Sequence, residues 1–451
     1  MSGSAGRDAG ATARGGRSEG ALLALAAIAV PLVGWASWAL VLRLGSNDFH
    51  DYWLAGRLVM EGRSPYDLGA LRELAAQQHL SLQVGGGYSY PLPFALVMVP
   101  FAALPFGAAL VAFNSLSLAV FGLAVAAWIL WAHGRSPALG RRRLALALGA
   151  GLYPPVYGTV VNGQANLVLI PLLALGVACA LEETRPLRRF SGGLMIGLAA
   201  IVKLVPGVLI VPLALGRRIA AAAGLAVGAL GALLAAIEVA PWAASGSGGL
   251  ASLLDADNYY TNQSINGFVS RLVLPAGRTA PLWDHGFDPG FVMLAATVAF
   301  ALISLALLWR ARDRLESRRG MALGLAFALV AGTIGAPKNS FWNEALVLVA
   351  VGLLLAVETP DLRLGQLGRF DRALLATWFG TALVWTAVWA MNLVAAGPLA
   401  PVVTLLWSSS LYGLLALWWL MGRRLFAGDG QAVRLGAARD EGSDQSAGTI
   451  S

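Results

Sequence analysis

Apolar runs of bilayer length alternate along this chain with short arginine-bearing connections. The run Ala21 to Leu42 is long enough to cross a bilayer, which takes about 20 residues at 1.5 Å each, and carries no signal-peptide cleavage pattern, so it reads as an anchor. Further spans read Leu110 to Trp131, Ile219 to Val239, Gly290 to Trp309, Met321 to Ala336, Trp342 to Val357, Leu374 to Leu393 and Pro401 to Met421. Two longer stretches must each turn once. Leu144 to Leu181 turns near Asn162-Gly163-Gln164-Ala165-Asn166, and Ser191 to Leu215 turns at Lys203 to Pro206. A straight helix through the second stretch would place the Lys203 ammonium at mid-bilayer, at a cost of roughly 2.5 to 3.5 kcal/mol. Two short helices around an irregular turn that lines a polar cavity avoid that cost. The pattern thus predicts an all-α integral membrane protein, a polytopic bundle of about twelve membrane segments, some of them short or re-entrant.

Arginine clusters fix the expected orientation. They recur at Arg141 to Arg143, Arg185 to Arg189, Arg217-Arg218, Arg310 to Arg319, Arg363 to Arg372 and Arg423-Arg424. Placing all six in the cytoplasm satisfies the positive-inside bias with both termini inside. The expected organisation is a disordered cytoplasmic tail at 1–20, a membrane domain at 21–424 and a second disordered tail at 425–451. External loops are expected at 44–105 and 241–289, the first with an interfacial helix at Leu68 to Gln78 and a Pro-broken apolar stretch at Tyr90 to Leu104. The small-residue spacings Gly193 to Gly197 and Gly224 to Gly228 predict close helix packing.

Composition agrees: 57% hydrophobic and 12% charged residues leave too few charges to cover a soluble body of 451 residues. The net charge of +8 comes mainly from the arginine connections, so a nucleic-acid partner is not implied. A single cysteine, Cys179, excludes an intrachain disulfide or a cysteine metal cluster. The scattered histidines predict no metal ligand set.

The candidate chemistry begins just past the anchor. Asp48 stands where a carboxylate can face both water and the membrane core, as a general base for an acceptor hydroxyl must; it equally suits a helix cap. His50 and Asp51 are alternative bases. Lys203 suits an anion, and its other reading is a lysine snorkelling to the interface. Arg57 and Arg271 rank after it as anion ligands, and Arg57 has Glu61 four residues on as a partner. Asn162, Gln164, Asn166, Asn262, Gln263 and Asn266 offer amide groups that pair a donor with an acceptor, as a ligand's hydroxyls require. An Asn-Gly turn alone accounts for Asn162, and Asn262-Gln263-Ser264 also fits a glycosylation sequon. Tyr52 and Tyr66 suit stacking on a sugar or anchoring in the aromatic belt, and Trp53 reads as belt. Lys338, Asn339, Asn343 and Glu344 form a polar group at the outer face, bordering the same cavity or simply exposed.

Several ordered motifs carry a resemblance. Asp48-Phe49, Tyr52-Trp53 and Ala55-Gly56-Arg57 are followed by Gly62-Arg63-Ser64-Pro65-Tyr66-Asp67, then by Tyr90-Pro91 with Pro93, Asn162-Gly163-Gln164 with Asn166, the Lys203 to Pro206 turn and Asn262 to Gly267. Together they resemble the family 87 glycosyltransferases, membrane enzymes of the C-type architecture. The resemblance covers roughly Asp48 to Gly267, and beyond that mainly the pattern of spans. It implies inverting transfer of a sugar from a polyprenyl-phosphate donor to a glycolipid or glycan acceptor on the extracytoplasmic face of the cell's inner membrane. Mannose is the leading sugar and arabinofuranose the second. It implies an aspartate of the first external loop as base, matched here by Asp48. An activated phosphate leaving group requires positive charge and a base but no obligatory metal, so no cofactor is expected and Lys203 is assigned to the phosphate. The rivals are a secondary transporter, for which broken helices and a buried lysine are equally natural, and a flippase-like protein that binds lipid-linked sugar without chemistry.

Overall fold

The computed structural model describes residues 47–80, 87–133, 140–243, 255–283, 288–359 and 361–427. The anchor at 21–42, the N-terminal tail and the tail beyond Ala427 lie outside the described residues. Among the described residues the chain is helical, without β-strands apart from one isolated antiparallel bridge between Asn262 and Ser340.

Three short helices open it: α1 (Asn47–Met60), α2 (Leu68–Gln77) and α3 (Leu92–Ala102). They are followed by α4 (Phe106–His133), α5 (Gly140–Gly151), α6 (Pro154–Asn162), α7 (Asn166–Ala180) and α8 (Pro186–Val202). A 3-10 turn at Val205–Leu209 leads into α9 (Ile210–Leu215) and α10 (Ile219–Val239). The second half comprises α11 (Ile265–Val273), α12 (Pro289–Arg310), α13 (Arg318–Gly335), a 3-10 turn at Phe341–Leu346 running into α14 (Val347–Glu358), α15 (Arg369–Ala390), α16 (Ala400–Leu406) and α17 (Ser409–Phe426).

Among the described residues six helices are long and apolar enough to cross a membrane: Phe106–Ala132, Ile219–Val239, Pro289–Arg310, Phe341–Glu358, Arg369–Ala390 and Gly397–Phe426. A seventh arises if α5 and α6, bent by 46°, form one span. The expected count of about twelve is therefore not reached among the described residues. The physical reason is length: α7, with 15 residues, and the segment Val205–Leu215 fall short of the roughly 20 that a bilayer requires. Helix α13 is a buried pillar, with every residue from Gly320 to Val330 shielded inside the bundle.

Lys203 does break its helix, adopting an extended backbone (φ −137°, ψ 127°) at the end of α8. The chain then doubles back. A Cβ added at Gly207 would lie 3.7 Å from Ala200 Cβ, whereas seven residues on a straight helix are separated by roughly 10 Å. Both ends of this hairpin lie together, because the Arg218 guanidinium donates to the Glu182 carbonyl at 3.2 Å, just ahead of α8.

All six arginine clusters gather at that same end of the bundle. Arg188 pairs with Glu182 at 3.5 Å, and Arg217 with Glu316 at 3.3 Å. Arg142 donates to the Asp361 carbonyl. Arg319 and Arg424 share the Glu358 carboxylate, and Arg424 also binds Asp371. This buried network clamps the ends of α13, α14, α15 and α17. It extends α17 through Phe426, two residues into the stretch expected to be tail.

Close packing at small residues joins α8 to α10. A Cβ on Gly193 would collide with the Ala221 carbonyl, one on Gly197 with that of Leu225, and one on Gly224 with that of Phe190. The apolar face of α2, expected at the membrane interface, is instead buried in the protein through Leu71 and Leu74. Trp53, expected in an aromatic belt, is 2% exposed: its indole N–H donates to the Leu104 carbonyl and its ring packs edge-on to Phe106. The fold has two apolar cores, a large one around α13 and a small one built from α1 to α3 and the start of α4. The 162–166 turn and Val202 lie on the seam between them.

Gly193→Val forces two backbones apart, and overpacking of this kind costs on the order of 1–3 kcal/mol or more. The expected result is a clear loss of thermal stability in detergent, read by differential scanning fluorimetry, whereas Gly231→Val, which meets open space, leaves the melting temperature within a degree or so.

Candidate active site at the seam of two cores

The turn between α6 and α7 is built to present one side chain. Gly163 takes a left-handed conformation (φ 62°) that ends α6, and the Asn162 amide donates back to the Gly158 carbonyl at 2.8 Å. The Gln164 N–H closes on the Thr159 carbonyl at 2.9 Å, and α7 restarts at Asn166. Gln164 is thereby held between two helix ends, 4% exposed.

Its carboxamide joins two oppositely charged groups. The Gln164 Nε2 donates to the Asp48 carboxylate, while its Oε1 accepts from Lys203 Nζ at 2.8 Å and from the Tyr52 hydroxyl at 3.0 Å. The Tyr90 hydroxyl stands 3.4 Å from the same oxygen and 2.8 Å from that of Tyr52. The amide orientation is dictated by its partners, because the flipped form would direct an NH2 at an ammonium. Burial pushes both phenols up, so at neutral pH they remain protonated donors.

Local sequence explains each arrival. Asp48 and Tyr52 lie one turn apart on α1, hence on one face. Tyr52 packs against Phe94 on that face, and Phe49, on the adjoining one, packs against Phe106 and Phe113. Lys203 enters from the broken end of α8, over the Tyr90 ring at 5.7 Å. Its second acceptor is Asn343 Oδ1 at 2.5 Å, on the turn preceding α14. That oxygen also accepts from the Asn166 amide, which reaches the Trp342 carbonyl at 2.9 Å as well.

Asp48 is 8% exposed, and burial raises its pKa to about 6, offset by the Gln164 hydrogen bond and the Lys203 charge. A carboxylate titrating just below neutrality beside a lysine can accept a proton and neighbour an anion in one pocket.

The structure thus brings together Asp48, Tyr52, Gln164, Asn166 and Lys203. Tyr90, which belongs to a sequence motif without an expected task, and Asn343, expected only at the border of a cavity, join them. Tyr66 is one step away: its hydroxyl donates to the Tyr90 carbonyl at 3.0 Å. Asn162 lines a narrow aromatic cleft beside Trp342 and Trp385. His50 and Asp51 are buried next to Asp48, His50 against the Phe106 ring at 4.7 Å.

Other expected ligands lie elsewhere. Arg57 sits at the far end of α1, roughly 13 Å along the helix from Asp48, paired with Glu61 at 3.7 Å and bonded to the Ala102 carbonyl. Arg271 is fully buried and committed to the Tyr259 and Asn262 carbonyls and the Ser408 hydroxyl. The neighbouring amides also bond within the fold, with Gln263 Oε1 left buried without a partner. Asn262 accepts from the Asn339 N–H, Gln263 donates to the Trp407 carbonyl, and Asn266 donates to the Asp255 carbonyl. These residues form a knot that ties segment 255–271 to 337–341 and to the α16–α17 junction. Glu344 is buried below the site, accepting from Ser410 and Tyr153, and Lys338 is exposed.

A family model described as "Glycosyltransferase family 87" matches residues 88–335, which include Gln164 and Lys203 and begin downstream of Asp48. Curated relatives are similar over most of their length. The chain is 27% identical over 389 residues, 78% of it and 84% of the relative, to a polyprenol-phosphate-mannose-dependent alpha-(1-2)-phosphatidylinositol mannoside mannosyltransferase of Mycolicibacterium smegmatis. It is 28% identical over 392 residues, 79% of it and 86% of the relative, to a protein of that name from Mycobacterium tuberculosis. It is 29% identical over 344 residues, 71% of it and 73% of the relative, to a phosphatidylinositol pentamannoside mannosyltransferase of the same dependence from M. smegmatis. No solved structure matches the chain.

The carboxyl band of Asp48, isolated by infrared difference against Asp48→Asn, is expected to titrate with a midpoint near 6. Gln164→Met removes a donor to the charged form and moves that midpoint upward. A midpoint at the ordinary carboxylate value of 3.8 in the intact protein would contradict the geometry.

Proposed function

Because the chain belongs to glycosyltransferase family 87, we propose that it moves a mannosyl residue from a polyprenyl-phosphate donor onto a glycolipid acceptor, with Asp48 as base and Lys203 at the donor phosphate. The observation that carries this reading is the Gln164 bridge, which sets a buried carboxylate and a half-buried ammonium on either side of one carboxamide. The names of the relatives favour mannose over arabinofuranose, and an acceptor of the phosphatidylinositol mannoside kind. Family membership favours transfer over the transporter and flippase-like readings.

In the proposed reaction the acceptor hydroxyl gives its proton to Asp48 as its oxygen attacks the anomeric carbon. The bond from that carbon to the phosphate oxygen breaks on the opposite face, so the product is inverted. The departing polyprenyl phosphate keeps the electron pair, and its charge is met by Lys203. Two ammonium hydrogens are already directed at Gln164 and Asn343, which leaves the third for a phosphate oxygen. Tyr52, Tyr90 and Asn166 hold Gln164 and Asn343 in place, and no metal or cofactor is required. Asn162 and Tyr66 border the sugar. Arg57, Arg271, Asn262, Gln263 and Asn266 serve the fold, because each is hydrogen-bonded to another part of the protein.

The gathered arginines support an orientation with that end in the cytoplasm and the Asp48 pocket at the extracytoplasmic face of the plasma membrane. The anchor and the short helices then bring the membrane segments toward the expected twelve or so, with both termini inside.

Purified full-length protein supplied with radiolabelled polyprenyl-phosphate mannose and membrane acceptors tests the assignment. Asp48→Asn should lower transfer by about 10²–10⁴-fold with the melting temperature preserved. Lys203→Met should weaken the donor, raising its KM. Because the base acts when ionised, wild-type transfer should fall about tenfold per unit as pH drops below about 6. Undiminished transfer by Asp48→Asn, or its loss in Asp51→Asn alone, would move the base elsewhere.

A further inference from the structure

A second cation stands near the site with no acid to neutralise it. Arg278 makes no ion pair among the described residues; its guanidinium lies 4.5 Å over the Tyr260 ring and 5.6 Å from that of Trp407. One of its terminal nitrogens, Nη1, is buried without a hydrogen-bond acceptor. A buried donor left unmade carries a desolvation cost that a ligand would remove. The side chain as a whole is only partly covered, so other N–H groups of the same fork remain reachable.

The platform beneath it is fixed. The Trp407 indole donates to the Leu393 carbonyl at 3.2 Å, and the Arg278 carbonyl accepts from the Ala395 N–H at 3.0 Å. Tyr260, whose hydroxyl is 3.5 Å from that of Tyr259, lies on a loop whose Asn262 and Gln263 bond to Asn339, four residues before the Asn343 that accepts from Lys203. The guanidinium is therefore tied to the segment that presents Asn343 to Lys203. It contrasts with Arg271, seven residues earlier, whose fork is filled by carbonyls and a hydroxyl.

A planar cation that stays charged, lies flat on aromatic rings and keeps part of its fork unfilled is suited to two oxygens of a phosphate. We propose that Arg278, held on Tyr260 and Trp407, binds a phosphate ester of one of the two lipid substrates. This rests on the transfer reading above and adds to it a phosphate ligand separate from Lys203. The donor carries such a group at its reacting end, and an acceptor built on a phospholipid carries one at its headgroup.

The test uses the full chain in detergent, with Arg278→Met and Arg278→Lys compared to wild type by melting temperature, transfer kinetics and native mass spectrometry of bound lipid. If the acceptor supplies the phosphate, Arg278→Met raises the acceptor KM by roughly tenfold or more, leaves the donor KM unchanged and has no effect with an alkyl mannoside lacking phosphate. If the donor supplies it, the donor KM rises and retention of polyprenyl phosphate falls while retention of phosphatidylinositol persists. Arg278→Lys, with charge but no fork, should restore only part of either loss, and it serves as the variant if Arg278→Met does not fold. Unchanged KM values for both substrates together with unchanged retention of both lipids overturn the proposal. Arg278-dependent lipid retention in a wild-type protein that transfers nothing would keep the site and refute the enzyme.

Discussion

A buried carboxylate and a half-buried ammonium at one seam would normally collapse into direct contact or shed their charges, because neither tolerates low dielectric alone. Gln164 prevents the first outcome and softens the second. Its NH2 serves the anion and its carbonyl serves the cation, so each charge is solvated by one end of the same dipole. The groups remain a carboxamide apart, so neither is neutralised by direct contact with the other. Two phenols and the Asn343 amide complete the shell from α1, the segment before α3 and the turn before α14. Those elements belong to different cores, so the pocket exists only when the small N-terminal core docks on the large one.

The opposite end of the bundle holds the frame against which that docking occurs. Arg319 and Arg424 sharing Glu358, with Asp371 on the other side of Arg424, bind four helix ends into one buried cluster. Breaking one member would leave an uncompensated charge, which is more costly than the pair is stabilising. The α8 hairpin begins and ends at this face and reaches inward only as far as Lys203. A hairpin that stops short of the far surface has irregular backbone at its tip, and polar backbone at that depth needs a polar neighbourhood. The pocket supplies it.

Much of the pocket was legible in local sequence because local rules build it. Asn-Gly announced the turn at 162–163, a lysine within an apolar stretch announced the break at 203, and an acid after an apolar run marked Asp48. Small-residue spacings announced the α8–α10 contact. What escaped was the allocation of partners over long separations. Arg271 and Arg278 look alike in sequence, yet one is filled by Ser408, 137 positions away, and the other is left on two aromatic rings. Asn262, Gln263 and Asn266 resembled sugar ligands for the same reason, since an amide that ties two loops together has the composition of one that binds a hydroxyl. The count of about twelve spans is not reached among the described residues, because several apolar helices are shorter than a bilayer requires, and apolarity alone does not fix length.

The most direct measurement is a structure of the full chain bound to an intact, non-transferable polyprenyl phosphonate analogue of the mannosyl donor. The account predicts the phosphorus-bearing group within hydrogen-bond distance of Lys203 Nζ, with Gln164 retained between that ammonium and an Asp48 carboxylate that faces the anomeric carbon from the other side. A phosphonate seated against Arg57 or Arg271, or an Asp48 carboxylate turned away from the sugar, would contradict it.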